Sequence, residues 1–337
     1  MKILIIYRKI SPFIQTDIDI LKSQHKVKTL EVRYNGVNLL KTLLKSIQWV
    51  LWSDLVFSWF GSHHALVPFL LARLINRPCI TVASGFDTAN VPEIQYGDMR
   101  PGYRRRIGIA VFNLSDRILA VSDFTAKELK KIIPEYIDKL ERVYHGFNDR
   151  DVSNNVEKQN TVITIGGISQ NNLKRKGIET FVQAATYLPD TAFIIIGGWE
   201  EEAKNHLDTF SPHNVEFKGY LKNAWNSKIL KSAKVYVQPS YYESFGCSVA
   251  EAMLQKCIPV VTKNGALPEV VGDDGIYVPY GKPELLARGI QNALSYGPEL
   301  GERARQRILD HFPLEKRRMR LLEIIDEVSI PQRNKSL

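Results

Sequence analysis

A chain of 337 residues is too long for one ordinary core and suits two domains, and 44% hydrophobic with 24% charged residues excludes a disordered or fibrous protein. The formal charge is +9 and uneven: residues 1–150 hold 22 Lys/Arg against 14 Asp/Glu, while residues 151–337 hold 23 against 22. Three cysteines (Cys79, Cys247, Cys257) without a C-x-x-C pair give no metal site and no disulfide framework, and no apolar run approaches the roughly 18 residues that cross a bilayer.

The opening "MKILIIYRK" lacks the pattern of a signal peptide and reads as a buried first strand, so a cytoplasmic location is expected. Further strands are predicted at 54–60, 78–83 and 116–122 in the first half. In the second half they are predicted at 162–167, 192–198, 234–240 and 258–262. Near-continuous apolar strands alternating with helical segments indicate parallel sheets covered on both faces. The segment 38–52, "NLLKTLLKSIQWVLW", predicts a helix with Leu40, Leu43, Leu44, Ile47 and Leu51 apolar; the core-facing reading is preferred and a membrane-lying one is the alternative. "PGYRRRIG" gathers Arg104, Arg105 and Arg106, suited to anionic lipid or a lipid-linked diphosphate, or else merely solvated. His63 and His64 form a neighbouring pair that argues nothing about metal. "NDRDVSNNVEKQN" (148–160) is polar and aperiodic and reads as a linker. The tail 312–328 predicts an amphipathic helix with Met319, Leu322 and Ile325 on its apolar side.

Ligands of open α/β sheets bind beyond the carboxyl ends of strands, so those ends carry the functional reading. "KILIIY" is followed by no G-x-G-x-x-G, which argues against a nicotinamide or flavin enzyme. After "ITIGG" comes a polar loop and then Lys174-Arg175-Lys176-Gly177, three cations before a helix, a composition that suits phosphate or else a merely solvated basic loop. "FIIIGGWEEE" reads as a strand-end followed by a helix start. In "VEFKGYLKNAW", Gly219 permits a turn and Tyr220 and Leu221 follow it, the tyrosine expected half-buried. "PSYYESFGCSVAEAM" (239–253) places Glu243 before a Ser-Phe-Gly turn and Glu251 inside the helix after it. "VVTKNGALPEVV" adds a Gly265 loop and a short helix from Pro268-Glu269.

In order and spacing, the segments from about 161 to 278 resemble the C-terminal half of the retaining GT-B glycosyltransferases that carry an E-x7-E pair, the glycosyltransferase family 4-like "glycosyl transferases group 1". The match is carried by Glu243 and Glu251, "CIPVV", "GALPEVV" and the upstream "KRKG"; a looser likeness runs through 11–21, 121–131 and 143–149. The resemblance implies two Rossmann-like, doubly wound α/β domains facing across a cleft. It sets an acceptor-binding domain at 1–148, a nucleotide-sugar domain at 149–311, and a tail at 312–337 whose helix packs back on the first domain. It implies transfer of a sugar from a nucleotide-diphosphate sugar to a saccharide or lipid-linked acceptor with retention, in polysaccharide or cell-surface glycan synthesis. No cofactor and no metal are expected, because cations and backbone N–H groups can stabilise the leaving diphosphate. On this reading Lys176 is the chief catalytic cation, assisted by Arg175 or Lys174. The backbone around Ser244, Phe245, Gly246 and Cys247 would face the diphosphate, with Gly167, Tyr220 and Leu221 lining the donor site. Glu251 would accept from ribose hydroxyls and Glu243 would hold sugar hydroxyls near the anomeric carbon. These are binding roles, so the two-carboxylate scheme of glycosidases does not apply.

Two departures stand out. Gly167 occupies the place of the family's usual arginine, and the loop before Lys176 is longer. "SGFDTANVPE" offers Asp87 where many members have a histidine; a substrate-positioning acid and a turn acid are both open. The acceptor is expected at the first domain, near Asp87, Arg104 and Arg105. Other classes predict other behaviour. A catalytically silent sugar-nucleotide-binding protein would bind donor without turnover, and an epimerase of the same architecture would release altered sugar without acceptor. Nucleic-acid binding would be tight and salt-dependent, but no recognition motif supports it. An anionic membrane surface remains an open partner, and nucleic acid is not expected.

Overall fold

The computed structural model describes residues 1–32, 38–149 and 156–329. The chain forms two compact units. The first runs from Met1 to Gly146 and resumes at Glu315; the second is Phe147–Leu314. Residues 150–155 of the expected linker and 330–337 of the expected tail lie outside the described residues.

In the first unit the order is β1 (Lys2–Tyr7), α1 (Pro12–Lys22), β2 (Lys26–Glu31), α2 (Asn38–Trp52), β3 (Leu55–Trp59), α3 (His63–Leu74), β4 (Cys79–Ala83), α4 (Tyr103–Leu114), β5 (Arg117–Ala120), α5 (Asp123–Ile132) and β6 (Leu140–Arg142). Its six strands pair in parallel in the order β2-β1-β3-β4-β5-β6. The interior strands β1, β3 and β4 are almost wholly buried, which explains their unbroken apolar sequences. The connection β1-α1-β2 moves one way along the sheet, whereas those through α2, α3 and α4 move the other. Right-handed crossovers therefore put α2–α4 together on one face and α1 on the opposite face; α2 packs on α3, and α3 on α4.

The second unit continues with β7 (Gln159–Ile165), α6 (Gln170–Arg175), α7 (Ile178–Ala184), β8 (Ala192–Ile196), α8 (Glu201–Asp208), β9 (Val215–Phe217), α9 (Lys228–Ser232), β10 (Ala233–Gln238), α10 (Cys247–Leu254), β11 (Ile258–Val261), α11 (Leu267–Val271), β12 (Ile276–Tyr277), α12 (Pro283–Ser295) and α13 (Pro298–His311). Its parallel sheet has the order β12-β11-β10-β7-β8-β9, over a core that includes Val162, Phe181, Phe193, Val235, Val260 and Leu286. The polar stretch after Gly167, expected as a loop, is the helix α6. Ser169 supplies its N-cap, the hydroxyl accepting from Asn172 N at 3.3 Å.

The last helix, α14 (Leu314–Ser329), returns to the first unit. Leu321, Leu322, Ile324 and Ile325 are buried, but Met319, expected on the same side, is exposed. A polar anchor replaces it. Arg317 is buried and donates Nε and Nη2 to the two carboxylate oxygens of buried Asp17 on α1, each at 2.7 Å, and Nη1 to the carbonyls of Val143 and Tyr144. A bidentate pair with both Nη1 hydrogens also taken is the geometry in which a buried ion pair is tolerated.

Candidate active site

In the second unit three adjacent strands end on glycines and are stitched together there. Gly166 N donates to the Ile196 carbonyl, Gly197 N to that of Gly219, and Ile168 N to that of Gly198, each at 2.9 Å. A Cβ on Gly197 would stand 2.1 Å from the Gly166 carbonyl oxygen, so only glycine fits this close approach. A Cβ on Gly166 would meet Cδ of Lys176 at 2.8 Å and Nζ at 3.5 Å. The lysine stem thus lies directly over the bare Cα of Gly166. Gly167, by contrast, has room for a side chain, the nearest atom being the Gly198 carbonyl oxygen at 3.6 Å.

The three cations of the Lys174–Lys176 run do not act alike. Lys174 and Arg175 close α6; Lys174 is exposed, and Arg175 donates to Asn172 Oδ1 at 3.1 and 2.8 Å. Lys176 caps the helix, and Gly177 turns the chain through a left-handed conformation (φ +68°) into α7. Only Lys176 turns back over the strand-ends. Its ammonium group makes no hydrogen bond or ion pair among the described residues, while its backbone N–H donates to the Asn172 carbonyl at 2.9 Å. Desolvation lowers its pKa below the ordinary lysine range, an effect opposed first by the charge of Glu243 and reinforced by that of Arg175.

The acids flank that ammonium group. Glu243 Oε2 accepts from Gln238 Nε2 at 2.8 Å. Gln238 belongs to a buried polar set: its Oε1 takes the Tyr236 hydroxyl at 2.9 Å and the Ser248 hydroxyl at 3.3 Å, and its Nε2 also reaches Ser240 Oγ at 3.1 Å. The backbone of Glu243 is held as well, its carbonyl accepting from Ala266 N at 2.8 Å. Glu251 lies one turn inside α10, where desolvation pushes its pKa up to about 7 against the pull of Lys176. The first turn of α10 has no side-chain cap and follows Gly246, which is left-handed at φ +99°, so its leading N–H groups suit an anion. Phe245 is core: it stacks on Phe147 at 5.9 Å and meets Phe312 edge-on at 5.4 Å. Cys247 opens the helix, and Ser244 precedes it half-buried. Tyr220, expected half-buried, is 77% exposed beside Gly198, and Leu221 is intermediate.

A half-buried ammonium without a partner, two carboxylates and an uncapped helix start therefore gather at the carboxyl edge of one sheet. Such a set can hold an anion at the cation and N–H groups while the acids accept from hydroxyls. Residues 147–308 match the family model of "Glycosyl transferases group 1". This segment is a glycosyl transferases group 1 domain. An uncharacterized glycosyltransferase of Methanocaldococcus jannaschii is 28% identical over 201 residues, 54% of this chain and 51% of that protein. The O-antigen chain mannosyltransferase B of Escherichia coli is 34% identical over 113 residues, 30% of this chain and 29% of that one. The matched stretches span about half or less of these relatives. Among solved structures, Anabaena HepE in complex with UDP and glucose superposes with a TM-score of 0.80 at 16% identity, covering 97% of this chain and 100% of that one. The fold is GT-B, with the group 1 domain as its second six-stranded unit.

In the first unit the other expected site residues are placed differently. Asp87 is buried: Oδ2 accepts from Gly61 N at 2.7 Å, and Oδ1 from Ser84 N and Gly85 N at 3.0 Å each. Burial pushes its pKa up to about 6 against those three donors. It fastens the loops after β3 and β4, the position of a turn acid. Arg104 and Arg105 lie exposed in the first turn of α4, with Arg104 3.6 Å from Asp98. His64 is buried, its Nε2 2.9 Å from the Trp59 carbonyl. Gln238 escaped sequence reasoning, and of the two strand-end glycines Gly166 and Gly167 only Gly167 was expected in the donor site. The signal for Gln238 was a lone amide ending the apolar run "VYVQ"; for Gly166 no sequence signal separates it from its neighbour.

Proposed function

We propose that this protein is a glycosyltransferase that moves a sugar from a nucleotide-diphosphate sugar to a saccharide or glycolipid acceptor. The observation that carries the reading is the unpartnered Lys176 ammonium, laid over Gly166 and facing Glu243 and Glu251. Charge builds on the diphosphate as the glycosidic bond breaks, and a fixed cation with backbone N–H groups stabilises it without a metal. In this reading Lys176 and the start of α10 at Gly246–Ser248 take the diphosphate, and Arg175 lends longer-range positive charge. Glu251 accepts from the ribose hydroxyls, and Glu243, oriented by Gln238, holds the sugar. Tyr220, Leu221 and Gly167 border the nucleoside. Retention of configuration rests on the E-x7-E resemblance, and HepE, solved with UDP and glucose, makes UDP-sugars the first donors to try. A role in polysaccharide synthesis draws on the O-antigen chain relative.

The test is a thermal-shift and hydrolysis panel of UDP-, GDP- and ADP-sugars. At least one donor should raise the melting temperature and be turned over in the absence of added metal. If no donor shifts it at about millimolar concentration, where even a weak site gives measurable linkage, the reading fails.

A further inference from the structure

Helix α2 is folded inside out. Thr42, Ser46 and Val50 form its buried side, and the Ser46 hydroxyl donates back to the Thr42 carbonyl at 2.8 Å. The leucine side faces solvent: Leu40 is 67% exposed, Leu44 60%, Ile47 43% and Leu51 62%. At spacings of four, three and four residues these side chains share one face of the helix. The neighbouring helix α3 adds Leu70 at 46% and Leu74 at 80% exposure. The core-facing reading of 38–52 is therefore wrong. The same stripe that marks an amphipathic helix in the sequence points away from the core, and the narrow side with Thr42 and Ser46 is the buried one. Large apolar side chains exposed along one helix face, with more on the helix packed against it, mark an interaction surface.

Charge says which kind. Helices α2, α3 and α4 carry Lys41, Lys45, Arg73, Arg104, Arg105 and Arg106 and not one Asp or Glu. Arg73 is paired with Asp116, while Lys41, Lys45, Arg105 and Arg106 are exposed. A second copy of this chain docking face to face would bring two acid-free cationic surfaces together, which like-charge repulsion opposes. An anionic bilayer instead takes the leucines among its acyl chains while the lysines reach its headgroups. Trp49 and Trp52 stand under lysines at the edge of α2, Lys28 Nζ lying 5.7 and 4.5 Å from their ring centroids. We infer that the α2–α3 ridge of the first unit docks this protein on an anionic membrane surface, as a peripheral and not a spanning contact. No helix among the described residues is long and apolar enough to cross a membrane.

The inference stands apart from the donor reading, because vesicle binding needs no nucleotide sugar. The full chain is floated with vesicles of phosphatidylcholine alone or with about one third phosphatidylglycerol, at low and high salt. Binding is expected only to the anionic vesicles. Leu44→Glu with Leu51→Glu should lower it by at least about tenfold, since each loses apolar burial and adds a like charge to the lipid. Lys41→Glu with Lys45→Glu should lower it severalfold and blunt the salt response. Both pairs are exposed, so melting temperature and donor hydrolysis should hold at wild-type values. Undiminished flotation of the leucine variant overturns the inference, as does equal binding to neutral vesicles. A wild-type dimer that the leucine substitutions dissociate, without flotation, overturns it in favour of a protein interface.

Discussion

Each unit has its own six-stranded parallel sheet, but Arg317 and Asp87 of the first and Lys176 and Glu251 of the second are inward charges treated in opposite ways. In the first unit Arg317 is held by both carboxylate oxygens of Asp17 and by two carbonyls, and Asp87 by three backbone N–H groups. In the second, the Lys176 side chain is drawn over Gly166 and its ammonium group makes no hydrogen bond or ion pair among the described residues, and Glu251 is desolvated until its pKa reaches about 7. A buried charge that is satisfied holds a fold together. One that is gathered but left unsatisfied costs stability, and is retained where a ligand completes it.

The comparison breaks most directly at the anchor of α14. Removing Arg317 leaves Asp17 charged and buried, so Arg317→Ala should cost about 3–5 kcal/mol, read by denaturant unfolding. A loss below about 1 kcal/mol, the scale of an exposed pair, would mean the pair contributes no more than a surface contact. Lys176→Ala should do the reverse. Melting temperature should stay level or rise, because an unpartnered cation is removed, while transfer falls about 10²–10³-fold, the usual effect of deleting one charge-stabilising donor.

Next in size are the two acids. Each replaces hydrogen bonds to a bound hydroxyl, worth about 1.5–3 kcal/mol when the acceptor is charged. Glu251→Ala should weaken binding even of the free nucleoside diphosphate, whereas Glu243→Ala should remove only the sugar-dependent part. Equal losses in calorimetric titrations would end that division of labour. Glu251 also sets a pH dependence. Its folded value is raised, so its neutral form stabilises the apo fold fully below the ordinary carboxyl range and that contribution fades as pH climbs through about 7. Ribose hydroxyls need the carboxylate, so donor affinity should move the other way, rising between about pH 6 and 8, with Glu251→Gln flattening the profile.

The smallest and sharpest change is Gly166→Ala. Its Cβ would displace the Lys176 stem, 2.8 Å away, and leave the backbone unstrained. About a tenfold loss of transfer is expected with little change in melting temperature, since a shift of roughly 1 Å at a charged group is costly only to the reaction. Wild-type turnover would show that the position of Lys176 over this glycine does not matter.

The sequence by itself determined the layered architecture and the motif. All eight predicted strands lie inside the two sheets, where burial on both faces demands unbroken apolar runs. The edge strands β2, β6 and β12 went unpredicted and β9 was noticed only by its glycine, because an edge strand is short and half-solvated and its sequence looks like a loop. The acids Glu243 and Glu251 were legible from local spacing around one turn. The choice of Lys176 from its cationic run was legible only by resemblance; the physical ground for it, the approach to Glu243 and Glu251, depends on strands distant in sequence coming side by side, whereas Gln238 supports Glu243 from within the same short segment.

Tertiary structure alone decided which way the leucines of α2 face. Periodicity fixes that a helix has two sides, but not which side the sheet receives. Here the narrow side of Thr42 and Ser46 packs inward, and four large apolar residues, Leu40, Leu44, Ile47 and Leu51, are left exposed.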